Sequence, residues 1–375
     1  MEKKNRSSNI ELLRVAAAMG VIILHYNNKD IGGGFGYVQW NSINPYLLYL
    51  LESMVICSVN VFILISGYFM CTSYKRNLSK PLKLLLQLVL FRELLCFLSI
   101  FLQLYKGASF TGISLVKKIL INLAPDNYFV ILYVVLYFVS VYINIIFSML
   151  DRKQMRNMIL VCGLLFSVWP TLVDISERLL GFSWSGLSSV GAGGSQDGYT
   201  IVNFVLMYCI GAYIRLHKRE RRYSGGYMLL GYGVCVILIM VWQLLDIRFG
   251  TNVSDVALEY CNPLVVVSGV FIFLFFEQIR LRENSVINAL AKGSFSVYLL
   301  HIALLPFAQI SLFCNANIVV LIAHIAATSV GIYLICWGIN CIYTKLMKPF
   351  HGLLENRLSL CTIDVTRAVN RRVSQ

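Results

Sequence analysis

Residues 128–150 read YFVILYVVLYFVSVYINIIFSML, twenty-three residues without one charged side chain. Wound as a helix at 1.5 Å per residue they extend ~34 Å, enough to cross the ~30 Å hydrocarbon core of a bilayer. On either side of this run the same pattern recurs, with apolar stretches near 10–27, 46–70, 84–105, 157–173, 201–216, 225–245, 263–276, 290–312 and 317–344. The chain has 375 residues, 58% hydrophobic and 13% charged, with a mean hydropathy of +0.71. A soluble domain carries about twice that charged fraction, so an ordinary soluble enzyme is excluded. The expected fold is all-α and polytopic, with about ten transmembrane helices.

An even number of spans puts both termini on one side, and the basic residues choose which. With the N-terminus inside, the inner segments hold 24 Lys and Arg against 6 in the outer loops, while Arg14 and Arg92 fall within spans. The positive-inside rule then predicts N-in and C-in. Residues 1–345 are expected to form the membrane domain and residues 346–375 a short cytoplasmic tail. The stretch from Gly107 to Pro125 is amphipathic enough to lie in the membrane interface.

The net charge of +14 does not signal a nucleic-acid partner, because the cations are scattered between apolar runs instead of gathered on one face. Eleven cysteines, mostly inside apolar runs and without a CxxC pair, indicate neither a disulfide framework nor a metal site. Lys3, Lys4 and Arg6 before an apolar run imitate a signal peptide, but Arg14 interrupts that run, so it is expected to be a retained first helix.

Ionisable groups inside spans are costly and mark candidate functional positions. Arg14 and His25 are eleven residues apart, three helical turns plus ~20°, and so share one face at two depths about 16 Å apart. Glu11, one turn before Arg14, is spaced to pair with it. The alternative is that Arg14 reaches out to the headgroups and His25 only ends an interfacial helix. His301 follows Tyr298 by three residues in Phe295–His301, so the two side chains can point at one cavity; a purely structural interhelical hydrogen bond is the other reading. His324 is taken as structural.

Ile65-Ser66-Gly67-Tyr68-Phe69 closes the second span, and Lys75, Arg76, Lys80 and Lys83 follow. Glycine permits close backbone approach, Ser66 supplies a donor, and the cations can hold phosphates or simply mark the inner side. Arg92 and Glu93 are expected to neutralise each other or a neighbouring helix. In the outer segment Asp174–Thr200, six glycines and five serines lie between Gly181 and Gly198, which suits a flexible linker or a polar, sugar-like ligand near Trp184. By residues alone a transporter or flippase for a glycan also fits, although no matching pair of broken helices in the two halves supports it.

The whole chain resembles the acyltransferase family 3 membrane proteins, in particular the bacterial branch that O-acetylates surface polysaccharides. The resemblance rests on Asn9-Ile10-Glu11-Leu12-Leu13-Arg14 with His25 eleven residues after Arg14, on Phe62–Tyr68, on Asn203-Phe204 through Gly211–Arg215, and on Phe295–His301, in family order. The chain departs from the family pattern at Asn60, where many members are acidic, and at Asn127-Tyr128, where many have Trp. The resemblance implies a bacterial cytoplasmic-membrane O-acetyltransferase using acetyl-CoA as donor co-substrate and no metal. His25 would be the base or a transient acyl acceptor, and Arg14, Lys75, Arg76 and Lys80 would bind the acyl-CoA. Ser66, Tyr298 or His301 would contact the oxyanion or the acceptor. The implied partners are acyl-CoA, a glycan or lipid-linked oligosaccharide, the bilayer and, as an open option, a homo-oligomeric copy or a separate extracytoplasmic protein; no nucleic acid is expected. A succinyl or longer acyl group fits the same motifs.

Overall fold

The computed structural model describes residues 7–106, 110–218, 224–358 and 361–366. Lys3, Lys4, Arg6, Arg219, Arg221, Arg222, Arg367, Arg371 and Arg372, all part of the basic count, lie outside them. The fold is all-α and polytopic, with one short two-stranded pairing among the described residues. Among the described residues seven helices are long and apolar enough to cross a membrane: Ser8–Asn27, Asn44–Met70, Ser79–Tyr105, Tyr128–Met149, Arg152–Leu180, Gly225–Phe249 and Ile318–Leu346. Ser285–Ala291 and Ser294–Ala308 form a bent pair, turned by 58°, that is apolar and long enough for an eighth if the two act as one span. The sixth and eighth runs of the sequence form Ile201–Leu216 and Pro263–Gln278, helices of 16 residues each. At 1.5 Å per residue these are ~24 Å long, shorter than the ~30 Å hydrocarbon core, so among the described residues seven or eight of the ten apolar runs are full-length by this measure and two are shorter apolar helices.

Local sequence explains where the helices begin and end. Asp151 accepts from the Gln154 backbone at 2.8 Å while the Gln154 side chain accepts from the Asp151 backbone at 2.9 Å, a reciprocal cap that starts a new helix at Arg152. Thr200 caps Ile201–Leu216 in the simpler way, its hydroxyl accepting from Asn203 N. Within Arg152–Leu180 one turn, Leu164–Val168, is a π-helix, and there Ser167 donates to the Cys261 carbonyl at 2.5 Å.

The chain forms two compact units. One comprises Met1–Thr72 and Ile143–Cys341, the other Ser73–Tyr142 and Ile342–Gln375. In the first, helix Ser8–Asn27 is central, packing on Asn44–Val55, Ser58–Met70, Pro263–Gln278, Ser285–Ala291 and Ser294–Leu304. Interhelical hydrogen bonds from buried amides cross this interior, as expected where water is absent. Asn60 donates to the Tyr260 carbonyl at 2.7 Å and accepts from Asn203 at 3.2 Å, and Tyr208 donates to Asn144 at 2.8 Å. Asn60, where the resembled family is often acidic, is thus a neutral, 1% exposed bridge between segments.

The Gly/Ser-rich segment Asp174–Thr200 is tied down instead of forming a free linker. Ser195 N donates to both Asp174 oxygens at 3.2 and 3.0 Å, Trp184 N to Glu177 at 2.7 Å, Trp169 Nε1 to the Leu187 carbonyl at 2.9 Å, and Tyr260 N to the Asp197 carbonyl at 2.9 Å. Glu259, in the loop that receives this segment, is 5% exposed, and burial first, then the neighbouring Asp174, push its carboxyl up to about 9. The unfolded chain releases that proton near pH 4.5 while the folded chain holds it to about 9, so stability contributed by this group falls as pH rises through that window. Glu259→Gln should therefore raise the thermal midpoint at pH 8–9 by at least a few degrees and change it little at pH 4.5, as measured by melting in detergent.

In the second unit, Gly112–Asn122 is a helix without a buried residue, as an interfacial helix requires. Arg92 pairs with Asp126, donating to its carbonyl at 2.7 Å, and not with the adjacent Glu93, because neighbouring positions on a helix point apart. Chain expected to be a tail is structured: Lys348–Leu358 packs on Ser79–Tyr105, and Thr362–Asp364 pairs antiparallel with Lys75–Asn77.

Candidate active site

Helix Ser8–Asn27 carries Arg14 and His25, as the spacing predicts. Arg14 donates to Glu11 at 2.7 Å; the Glu11 side chain is buried and the Arg14 side chain 27% exposed, so the carboxylate neutralises and orients a guanidinium that still has free surface. Nearer the C-terminal end, the His25 ring folds back so that Nδ1 lies 2.9 Å from the Val21 carbonyl one turn earlier. The loop after this helix sits directly on its last turn. A Cβ on Gly32 would lie 2.4 Å from the His25 carbonyl and 2.5 Å from that of Tyr26, so only glycine lets the chain pass there.

The second buried histidine meets the first. His301 Nε2 lies 3.2 Å from His25 Nδ1, the rings 4.7 Å apart and at 75°, and His301 Nδ1 lies 2.9 Å from the Val297 carbonyl. His301 is 1% exposed whereas His25 is only half-buried. Tyr298 stands beside the pair, its ring 6.3 Å from that of His301. Ser66 uses its hydroxyl on the Phe62 carbonyl at 2.9 Å, one turn back on its own helix. His324 is engaged separately, by Tyr26 at 2.9 Å, by the Ala308 carbonyl at 2.9 Å and by stacking on Phe313 at 3.9 Å.

The motif runs Phe62–Tyr68 and Asn203–Arg215 pack against each other along their length. Gly67 and Gly211 allow this: a Cβ on Gly67 would lie 2.2 Å from the Tyr208 carbonyl oxygen, and one on Gly211 would lie 2.3 Å from that of Leu64. At the far end of this interface the Arg215 guanidinium lies 5.1 Å from the Tyr68 ring centre, and Lys218 pairs with Glu277 at 2.6 Å while reaching the Tyr68 hydroxyl at 3.4 Å. Burial alone would lower the Lys218 pKa, but Glu277 and Tyr68 outweigh it and hold it above its ordinary value, so the ammonium stays charged. Asn9, five residues before Arg14, donates to the Phe276 and Glu277 carbonyls at 2.9 and 3.2 Å and so ties the start of the first helix to this end. Residue spacing gave no sign of this cluster. Tyr68 and Arg215 each stood in a motif, but nothing local links residues so far apart.

Of the cations expected to bind the donor, Lys75, Arg76 and Lys80 belong to the second unit. Arg76 is turned inward, 2% exposed, and donates to the Tyr137, Ser73 and Lys75 carbonyls and the Ser140 hydroxyl at 2.8–3.0 Å, so its guanidinium is a structural tie and not a free phosphate clamp. Lys75 pairs with Asp364 at 2.9 Å, and Lys80 is exposed. Among the described residues no cluster of three or more His, Cys, Asp or Glu side chains is placed to hold a metal ion.

Neither a curated protein nor a solved structure gives a significant match to the chain. A family model described as an acyltransferase domain, that of acyltransferase family 3, matches residues 7–341 and thus takes in the Arg14–His25 helix, both glycine-packed motifs and His301; the chain belongs to that family.

Proposed function

We propose that this membrane acyltransferase moves an acetyl group from cytoplasmic acetyl-CoA to a hydroxyl of a bacterial cell-surface polysaccharide or its lipid-linked precursor. The observation that carries the reading is His25: half-buried, fixed at Nδ1, and on the same helix as an Arg14 oriented by Glu11. An imidazole can take the acceptor hydroxyl's proton at Nε2 as the hydroxyl oxygen attacks the thioester carbonyl. Collapse of the tetrahedral adduct breaks the C–S bond, and the departing CoA thiolate recovers the proton from the imidazolium, so ester and free CoA thiol are the products. Arg14 and the Arg215–Lys218 pair supply cations suited to the phosphates and amides of the CoA arm. A ~16 Å separation between Arg14 and His25 matches the reach of an extended pantetheine, so the charged head need not enter the hydrocarbon to deliver the acetyl group.

The test uses sealed proteoliposomes of purified protein with radiolabelled acetyl-CoA on one side and surface-glycan extract on the other. Label should pass to the glycan only when the donor is on the side of the N-terminus. Transfer from succinyl-CoA instead would change the acyl group, and transfer from neither donor in either arrangement would overturn the reading.

A further inference from the structure

The two histidines constrain each other's protons. Each Nδ1 faces the carbonyl oxygen of the residue four positions earlier at 2.9 Å, Val21 for His25 and Val297 for His301. A lone pair on either Nδ1 would point at an oxygen lone pair, which is repulsive, so both Nδ1 atoms carry hydrogen when the rings are neutral. In that tautomer His301 Nε2 is an unprotonated acceptor, and it lies 3.2 Å from the His25 Nδ1–H. The opposite assignment, with His301 Nε2 donating to His25 Nδ1, would oppose lone pairs at both carbonyls at once. One arrangement therefore satisfies every contact: Val297 accepts from His301, His301 and Val21 both accept from His25, and His25 Nε2 keeps its lone pair. Among the described residues no hydrogen-bond partner occupies that Nε2.

We infer that His301 is a positioning residue for the reaction: its Nε2, presented by the Val297 carbonyl, holds the His25 ring with Nε2 as the reactive base and stabilises the imidazolium formed when His25 takes a proton. This rests on the acyl-transfer reading and deepens it. His301 is 1% exposed and so does not itself meet oxyanion or acceptor, which removes it from the role of direct contact. The carbonyl of Val21 alone satisfies the Nδ1–H, but one acceptor on the ring's own helix does not fix the ring against rotation; a second from another helix does. No proton is transferred between the rings in this scheme. His25 Nε2 gains a proton from the hydroxyl and returns it to the leaving thiolate, while Nδ1–H stays in place and its bond to His301 becomes charge-assisted.

The test compares His301→Gln, whose side-chain oxygen can take the place of Nε2 as acceptor, with His301→Leu, which has none. In His301→Leu, kcat should fall about 10- to 100-fold, the size of loss when a partner that orients a metal-bound histidine is removed, with KM for acetyl-CoA unchanged. His301→Gln should recover most of that loss. Imidazole 15N NMR of the full-length protein in detergent, with the His25 signals assigned as those missing from His25→Ala, gives a readout independent of turnover. Wild type and His301→Gln should show Nδ1 protonated and Nε2 unprotonated, and His301→Leu should admit the Nε2–H form. A wild-type His25 protonated at Nε2 overturns the inference whatever the kinetics, as does an unchanged kcat in His301→Leu. Should His301→Leu fail to fold, the wild-type tautomer and the Gln variant still decide. If His25→Ala keeps its activity while the NMR pattern holds, the acyl-transfer role of His25 fails and the paired geometry stands.

Discussion

His25→Ala should lower acyl transfer from acetyl-CoA by about 100- to 10,000-fold, the range for removal of a general base, while leaving the protein's abundance and melting temperature nearly unchanged. Both halves follow from position. The ring is half-buried, and its internal contacts are one backbone carbonyl that already serves the helix and one neighbouring imidazole. Truncation leaves His301 Nε2 without a donor, a small loss against the packing of Ser8–Asn27 on five other segments. Initial rates with purified protein, alongside a thermal melt, check both. Near-normal transfer by a well-folded His25→Ala would remove this residue from the chemistry and with it the site proposed around it.

Gly67→Ala should have the largest structural effect of a single methyl group. The added Cβ would sit 2.2 Å from the Tyr208 carbonyl oxygen, a backbone atom that cannot rotate aside, so the helices Ser58–Met70 and Ile201–Leu216 must separate. Separation weakens the Asn60–Asn203 and Tyr68–Arg215 contacts together, since all lie along one interface. Overpacking of a tight core costs about 1–3 kcal/mol or more, and here the upper end is expected, a fall of ~4 °C or more in melting temperature with loss of folded protein from the membrane. Gly331→Ala is the control, because nothing lies within 4 Å of its added Cβ; it should be neutral or slightly stabilising, as alanine is favoured over glycine in a helix. Equal melting temperatures for the two variants would mean that the close helix approach does not hold the fold together.

Hydropathy carried the reading of the architecture because burial in lipid is decided residue by residue: an apolar run of twenty or more has one stable environment, and its backbone must be helical to satisfy its own hydrogen bonds. All ten apolar runs are helical in the structure, and the two shortest, read from the sequence as 201–216 and 263–276, form helices of 16 residues each, so their shortness was already legible in the length of the runs. The Glu11–Arg14 pair was equally legible, since residues three apart on one helix meet whatever surrounds them. Of the two readings of the Gly/Ser segment, the free linker fails because composition reports the freedom of an isolated chain, whereas the bonds to Asp174, Glu177 and Tyr260 come from elsewhere.

From the sequence by itself came the class of molecule, the helical runs, the Arg14–His25 helix and the resemblance to acyltransferases, all of them properties of contiguous residues and their order. Only the tertiary structure brought His301 to His25 across 276 positions, joined Tyr68 to Arg215 and Lys218, and turned Arg76 inward onto the Tyr137 carbonyl. Spacing along a chain determines what shares a helix face. Which faces meet depends on the glycines, amides and apolar surfaces of every helix at once, so the partner of His25 is set by packing and cannot be read from its own segment.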